Sequence, residues 1–264
     1  MNVREKIDSI MGPSGVIADC IEDYEHRLQQ IKMAHHVYDA LNSGDRLIVE
    51  APTGTGKTLA YLIATALSRK RVVISTGAKN LQEQLFYKDI PFVREHLFQK
   101  FNAALLKGRG NFVCHLRFKN FVRQPSLYST EAEKQMQQIV QWYAKTNRSG
   151  EGDRAEITDL PDDSQIWSEI CSTAETCIGK KCPDYDRCFI QKMKARAAVA
   201  DIMIVNHSLL VSDLKVKASG YGEVIPRYEA LIIDEAHRFE EIATKNLGFQ
   251  ISLFRIIRYC RDLR

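Results

Sequence analysis

Residues 47–58 read Leu-Ile-Val-Glu-Ala-Pro-Thr-Gly-Thr-Gly-Lys-Thr, a string suited to holding phosphate. Glycine lets successive backbone N–H groups turn inward with no β-carbon in the way. Thr53, Gly54, Thr55 and Gly56 can therefore wrap phosphate oxygens at a helix N-terminus. Lys57 adds a point charge and Thr58 a hydroxyl for Mg²⁺, so a nucleoside triphosphate such as ATP is the expected ligand. Ala51 stands where the general pattern has its first glycine. Far downstream, Asp234-Glu235-Ala236-His237 ends an apolar run. A carboxylate leaving a buried strand beside such a loop can hold Mg²⁺ through water, and its neighbour can orient the attacking water. Asp234 takes the first role and Glu235 the second, with Lys57 completing the catalytic set. His237 would couple the nucleotide to a nucleic-acid side.

Two further clusters carry chemistry. Of seven cysteines, Cys177, Cys182 and Cys188 fall close together, with Cys114 upstream. In a chain with no export signal, such grouping favours metal or cluster ligation over disulfides. Four thiolates suit zinc or an iron–sulfur cluster, and the wide intervals favour the cluster. Cys171 is an alternative to Cys114 as fourth ligand. Residues 107–123 hold five Lys/Arg, among them Lys107, Arg109, Arg117 and Lys119, and no acid, interleaved with Phe112, Phe118 and Phe121. Positive charge tracks phosphates while aromatic faces stack on bases, so single-stranded nucleic acid is expected there. Gln30, upstream of the phosphate loop, can match adenine N6 and N7 with its amide.

These groups need a scaffold. Leu47-Ile48-Val49 reads as a strand feeding the loop, and residues 59–64 as the helix after it. Residues 71–76, 201–207 and 230–233 read as further buried strands separated by helical patterns. That alternation predicts an α/β fold on a parallel sheet, with ligands at the carboxyl ends of the strands. Ser75, Thr76 and Gln82 would sit there and hold a nucleic-acid backbone; helix capping is the alternative role for Ser75 or Thr76. The rhythm stops near residue 107. Residues 151–169, with seven Asp/Glu against one Arg, read as an exposed connector.

The net charge of +4 is too small to imply nucleic acid by itself, so its distribution has to carry that reading. No apolar run is long enough for a membrane span, and the N-terminus leads into no signal-peptide core, which predicts a cytoplasmic protein with no membrane partner.

In combination the strings resemble motifs I (residues 51–58) and II (residues 234–237) of the superfamily 2 DEAH helicases. The cysteine-bearing stretch is similar to the insertion of the iron–sulfur helicases related to XPD. Ile74-Ser75-Thr76-Gly77, Leu81-Gln82-Glu83-Gln84-Leu85, Leu106-Lys107-Gly108-Arg109 and Val205-Asn206-His207-Ser208-Leu209-Leu210 narrow the similarity to the bacterial DinG group and its YoaA branch. The resemblance implies a RecA-like P-loop NTPase domain over residues 1–106 and 193–240. It places a mainly helical iron–sulfur cluster domain at 107–192 and the start of an Arch-like insertion at 241–264, with the second RecA-like domain absent. Tyr24, Arg27 and Gln30 would form the adenine-side motif, and Cys114, Cys177, Cys182 and Cys188 would hold a [4Fe–4S] cluster. The implied activity is ATP-dependent 5′→3′ unwinding of DNA, with single-stranded and forked DNA as partners, in repair or replication stress beside replication or repair proteins. The late Gln-x-x-Gly-Arg-x-x-Arg string, which supplies an arginine finger in that family, does not occur in these residues. Little ATPase and no processive unwinding are therefore expected of the 264 residues alone. Two rival readings are a nucleic-acid-binding regulatory protein that uses ATP or the cluster as a switch, and a zinc-stabilised P-loop ATPase.

Overall fold

The structure, a computed structural model, describes residues 2–248 apart from 23, 53, 98–99, 124–129, 162 and 221, and then 256–257 and 259–260. Thr53 and most of the stretch past Gly248, expected to begin an Arch-like insertion, lie outside the described residues. The chain forms two compact units, Met1–Leu105 with Ala200–Arg264, and Leu106–Val199.

The first unit begins with helices α1 (Val3–Met11), α2 (Val16–Cys20), α3 (Leu28–Ser43) and α4 (Lys57–Ser68), then strand β1 (Val72–Thr76). Helix α5 (Lys79–Gln84) passes through a π-helical turn at Leu85–Asp89 into α6 (Ile90–Leu97), and β2 (Ala103–Leu105) follows. The second unit holds α7 (His115–Arg123), α8 (Thr130–Ser149), α9 (Gln165–Ile170) and α10 (Phe189–Ala198). The chain then returns to the first unit with β3 (Ile202–Asn206), α11 (His207–Ala218), β4 (Ala230–Ile233) and α12 (Phe239–Leu247).

The α/β fold expected from the sequence is the one observed. All paired strands run parallel, in the order β2-β3-β1-β4. Val72, Val73 and Ile74 of β1 and Ile202, Met203, Ile204 and Val205 of β3 are buried, as a parallel sheet covered on both faces requires. Helix α4 is buried on nearly every side from Ala60 to Leu67 and lies against α3. Helix α3 stops at Gly44, whose φ of 79° is the left-handed position that glycine takes without a steric cost.

The strand expected at Leu47-Ile48-Val49 does not form. This stretch runs into the phosphate loop outside the sheet, and Ile48 is 96 % exposed. An apolar, β-branched triplet favours extended backbone, but a strand also needs a neighbouring ladder. Among the described residues, β4 pairs only with β1, and no strand lies beside residues 47–49. A sharp contrast in stability follows. Ile74→Ala, in the buried centre of β1, is expected to cost about 2–5 kcal/mol. Ile48→Ala should stay within about 0.5 kcal/mol. Urea unfolding midpoints of the two variants check this, and a large loss at Ile48 would contradict the exposed placement.

The second unit has its own core, which includes Phe112, Val113, Phe118, Ile139, Trp167, Ile170 and Phe189. Two expectations fail here for the same reason. Residues 151–169 are not an exposed connector: Ile157, Leu160, Ile166 and Trp167 are buried, and Trp167 Nε1 donates to the Gly110 carbonyl at 2.7 Å. Phe112 and Phe118 do not present faces for base stacking, because both are buried and Phe118 stacks on Tyr143 with ring centroids 3.8 Å apart. Polar composition hid a minority of apolar residues that do the packing, and the aromatic residues between basic ones turn inward to meet them. Gly152, at φ 68°, passes so close to the Phe189 ring that a β-carbon would stand 2.3 Å from Cδ2.

Candidate functional site

The phosphate loop takes its shape from glycines and from α3. Gly54 and Gly56 have φ of 80° and 74°. At Gly56 a β-carbon would also stand 2.0 Å from Gln30 Nε2 and displace that amide. Gln30 is buried and donates to the Gly56 carbonyl at 2.9 Å, so its amide braces the loop, a role that the sequence reading did not assign. Arg27 donates to the Gly54 carbonyl and pairs with Glu25. Tyr24 donates to the Met11 carbonyl at 2.6 Å, and burial pushes its phenol up. Thr55 Oγ1 donates to the Pro52 carbonyl at 2.9 Å. Lys57 Nζ lies inside the loop, 2.8 Å from the Ala51 carbonyl and 3.0 Å from that of Pro52. Its ammonium is thus held where phosphate oxygens would arrive.

The second acidic string comes to the same helix. Tyr61, one turn beyond Thr58 on α4, is buried and donates to Asp234 Oδ2 at 3.2 Å. Burial pushes the Tyr61 phenol well up, and the Asp234 charge adds to this, while a hydrogen bond with Thr58 opposes it. Tyr61 therefore touches both the loop hydroxyl and the strand-end carboxylate. The sequence reading assigned it no role within the helix at 59–64; its signal was a polar-tipped ring three positions after Thr58. Asp234 is anchored at β4's end by its N–H, 2.8 Å from the Ser75 carbonyl, and its Oδ1 accepts from Glu235 N at 3.0 Å. Glu235 adopts a left-handed conformation, φ 53° and ψ 45°, and its Oε2 lies 3.5 Å from Arg238 Nη1. His237 is exposed.

In the second unit, Cys114, Cys177, Cys182 and Cys188 are all half-buried. Burial raises the Cys114 thiol, backbone N–H groups of Arg117 and Leu116 oppose this, and the nearby Cys182 and Cys188 raise it further. Lys194 feels Cys177 and Cys188, although burial is the main cause that lowers its amine. Cys171 stands one strand bridge from Val113, but it is buried with Sγ 3.7 Å from the Ser168 carbonyl. Among the described residues, no three His, Cys, Asp or Glu side chains close around a point that a single ion would fill.

Several residues expected to face nucleic acid do not. Ser75 is buried and lies 2.7 Å from His207 Nδ1; Thr76 is buried and donates to the Ala78 carbonyl at 3.2 Å; Gln82 is buried and donates to the Ile204 carbonyl at 3.4 Å. Lys107 is 6 % exposed, with Nζ 2.6 Å from Asp153 Oδ2. Lys119 pairs with Asp184 at 2.6 Å yet stays exposed, and Arg117, half-buried, donates to the Glu169 carbonyl at 2.8 Å. The run 107–123 holds no acid of its own, but the fold brings acids to it from the following segments. Arg109 remains half-buried beside Lys194, and Lys180 and Lys181 are exposed on the turn between Cys177 and Cys182.

A strand-end acid of the parallel sheet thus meets the glycine-rich loop, and residues 27–106 match the DEAD/DEAH box helicase family model. Most of the chain is similar in sequence to the YoaA and DinG proteins. It is 36 % identical over 263 residues to ATP-dependent DNA helicase YoaA of Haemophilus influenzae, covering 100 % of this chain and 41 % of that protein. To YoaA of Escherichia coli it is 38 % identical over 252 residues, covering 95 % and 39 %. To the Bacillus subtilis protein named 3′-5′ exonuclease DinG it is 32 % identical over 250 residues, covering 90 % and 25 %. Among solved structures a truncated XPD aligns with a TM-score of 0.42 at 19 % identity, over 80 % of this chain and 53 % of that one. The chain thus spans about two fifths of the YoaA proteins that it matches.

Proposed function

We propose that this chain is the ATP-binding part of a cytoplasmic DNA helicase of the YoaA and DinG type, working 5′→3′ on single-stranded and forked DNA in repair or replication stress. The single observation that carries the nucleotide reading is the Tyr61–Asp234 hydrogen bond, which joins residues 173 apart in sequence and brings the second acidic motif to the phosphate loop. The first unit is the RecA-like domain in this reading, and Leu106–Val199 is the cluster-bearing insertion.

In the nucleotide site, backbone N–H groups of Gly54, Thr55 and Gly56 wrap the phosphates at the start of α4. Lys57 exchanges the Ala51 and Pro52 carbonyls for phosphate oxygens, a short movement because its Nζ already points into the loop. Thr58 and Asp234 would hold Mg²⁺, which offsets phosphate charge when bound. Glu235 orients the attacking water. Tyr24, Arg27 and Gln30 make the adenine side, with Gln30 linking base and loop. Of the expected DNA contacts, Arg109, Arg117, Lys119 and His237 are not buried, and the exposed Lys180 and Lys181 join them.

The four half-buried thiols fit a [4Fe–4S] cluster, with Cys114 as fourth ligand in preference to the buried Cys171. The cluster would tie two sequence-distant segments of the second unit together, the turn at Cys114 and the stretch 177–188. Anaerobically purified protein is expected to be brown and to contain iron and labile sulfide, and Cys188→Ser should lose both while Cys171→Ser keeps them. A colourless, zinc-loaded protein would contradict the assignment.

A further inference from the structure

His207 is fully buried, yet the nucleotide chemistry above makes no use of it. It opens α11 directly after β3, and Asn206 caps that helix by accepting from Leu209 N at 2.8 Å. The cap fixes where the imidazole goes. Nδ1 lies 2.7 Å from Ser75 Oγ on β1, at the level where Val205, Ser75 and Ile233 stand in register. The carbonyl of the same serine holds Asp234 N at 2.8 Å. The ring also lies against the main chain of Asp234 and Glu235, and meets Phe239 edge-on, with centroids 5.3 Å apart at 78°. Segments leaving β1, β3 and β4 thus converge on one side chain.

The turn that it touches is strained. A left-handed residue that carries a β-carbon persists only where its surroundings over-determine it, and Glu235 is such a residue. Its carboxylate lies over Gly77, where a β-carbon would stand 3.1 Å from Oε2. The other imidazole nitrogen, Nε2, is buried with no hydrogen bond of good geometry, which is uncommon in a folded interior. Strain and spare polarity therefore occur at the same place.

We propose that His207 is the positioning residue of the acidic turn: it grips Ser75 with one nitrogen and braces the main chain of Asp234 and Glu235 with the other edge, which keeps Asp234 directed at Tyr61 and Glu235 in its left-handed conformation. This inference rests on the nucleotide-site reading. The ring touches neither nucleotide nor reacting atoms. Its hold on Ser75 is a hydrogen bond through Nδ1, and its hold on the turn is the packing of the ring against the main chain and Phe239.

The test separates the acids from the loop. A fluorescent ATP analogue is titrated into wild-type protein and variants with Mg²⁺ and with EDTA; the ratio of the two affinities reports the acidic turn, and the EDTA affinity reports the loop. The wild type should bind about tenfold tighter with Mg²⁺, the worth of one charge-assisted contact. Asp234→Asn should lose that ratio. His207→Leu and Ser75→Ala should each lose most of it while the EDTA affinity stays within about twofold. His207→Gln, which keeps a donor and an acceptor, should recover at least half. An unchanged ratio in His207→Leu, or a fall of both affinities and of the melting temperature that His207→Gln does not relieve, overturns the proposal. If the wild type binds no nucleotide, or Lys57→Ala binds as well as the wild type, the nucleotide-site reading itself falls and the proposal falls with it.

Discussion

Replacing Lys57 with alanine is expected to weaken ATP binding by about 10- to 150-fold, the loss of one hydrogen bond to a charged partner worth about 1.5–3 kcal/mol. The fold should barely change. Among the described residues Nζ bonds main-chain oxygens of its own loop, and water can replace it there. The position is the first of α4, where alanine is a good helix former. Equilibrium titration with a fluorescent ATP analogue, paired with a thermal melt, separates the two effects. Unaltered affinity would mean that the nucleotide binds elsewhere.

Lys107→Ala should do the opposite, damaging stability and leaving the nucleotide site alone. Its ammonium and the Asp153 carboxylate are 2.6 Å apart, with side chains only 6 % and 11 % exposed. Removal of one partner strands the other in a low-dielectric interior, at a cost of about 3–5 kcal/mol. Asp153 has further duties: Oδ1 accepts from Ala155 N at 3.0 Å, and its backbone bridges Phe112. Asn at 153 would keep the cap without the charge. The double variant Lys107→Met with Asp153→Asn is therefore expected to recover most of the loss. Both tryptophans, Trp142 and Trp167, lie in the second unit, so their fluorescence during urea unfolding reports that unit alone. A wild-type midpoint for Lys107→Ala would return this lysine to the surface.

What the sequence made legible was local. Val72-Val73-Ile74 and Ile202-Met203-Ile204-Val205 announce buried parallel strands because every residue must be apolar on both faces. The phosphate loop is legible because glycine positions and the Lys-Thr pair follow one another in the chain. Residues 47–49 misled, since an apolar triplet says nothing about whether a neighbouring strand exists to pair with it. The basic run at 107–123 misled in a different way. Its charges looked free within their own stretch, yet Arg117 and Lys119 meet partners 52 and 65 positions away. Burial of Lys107 with Asp153, and of Ser75 with His207, is likewise a long-range pairing that no local pattern encodes. Tyr61 belongs with these: its hydroxyl's bond to Asp234, the residue after β4, joins positions 173 apart.

The central claim is that Lys57 and Asp234 serve one Mg²⁺–ATP site, and a double-mutant cycle on Mg²⁺–ATP affinity tests it most directly. Lys57→Ala, Asp234→Asn and the double variant are compared with the wild type by calorimetric titration. Groups acting on one bound ligand should show a coupling energy of about 0.5–3 kcal/mol. Strict additivity of the two losses, or wild-type protein that takes up no nucleotide, would contradict the account.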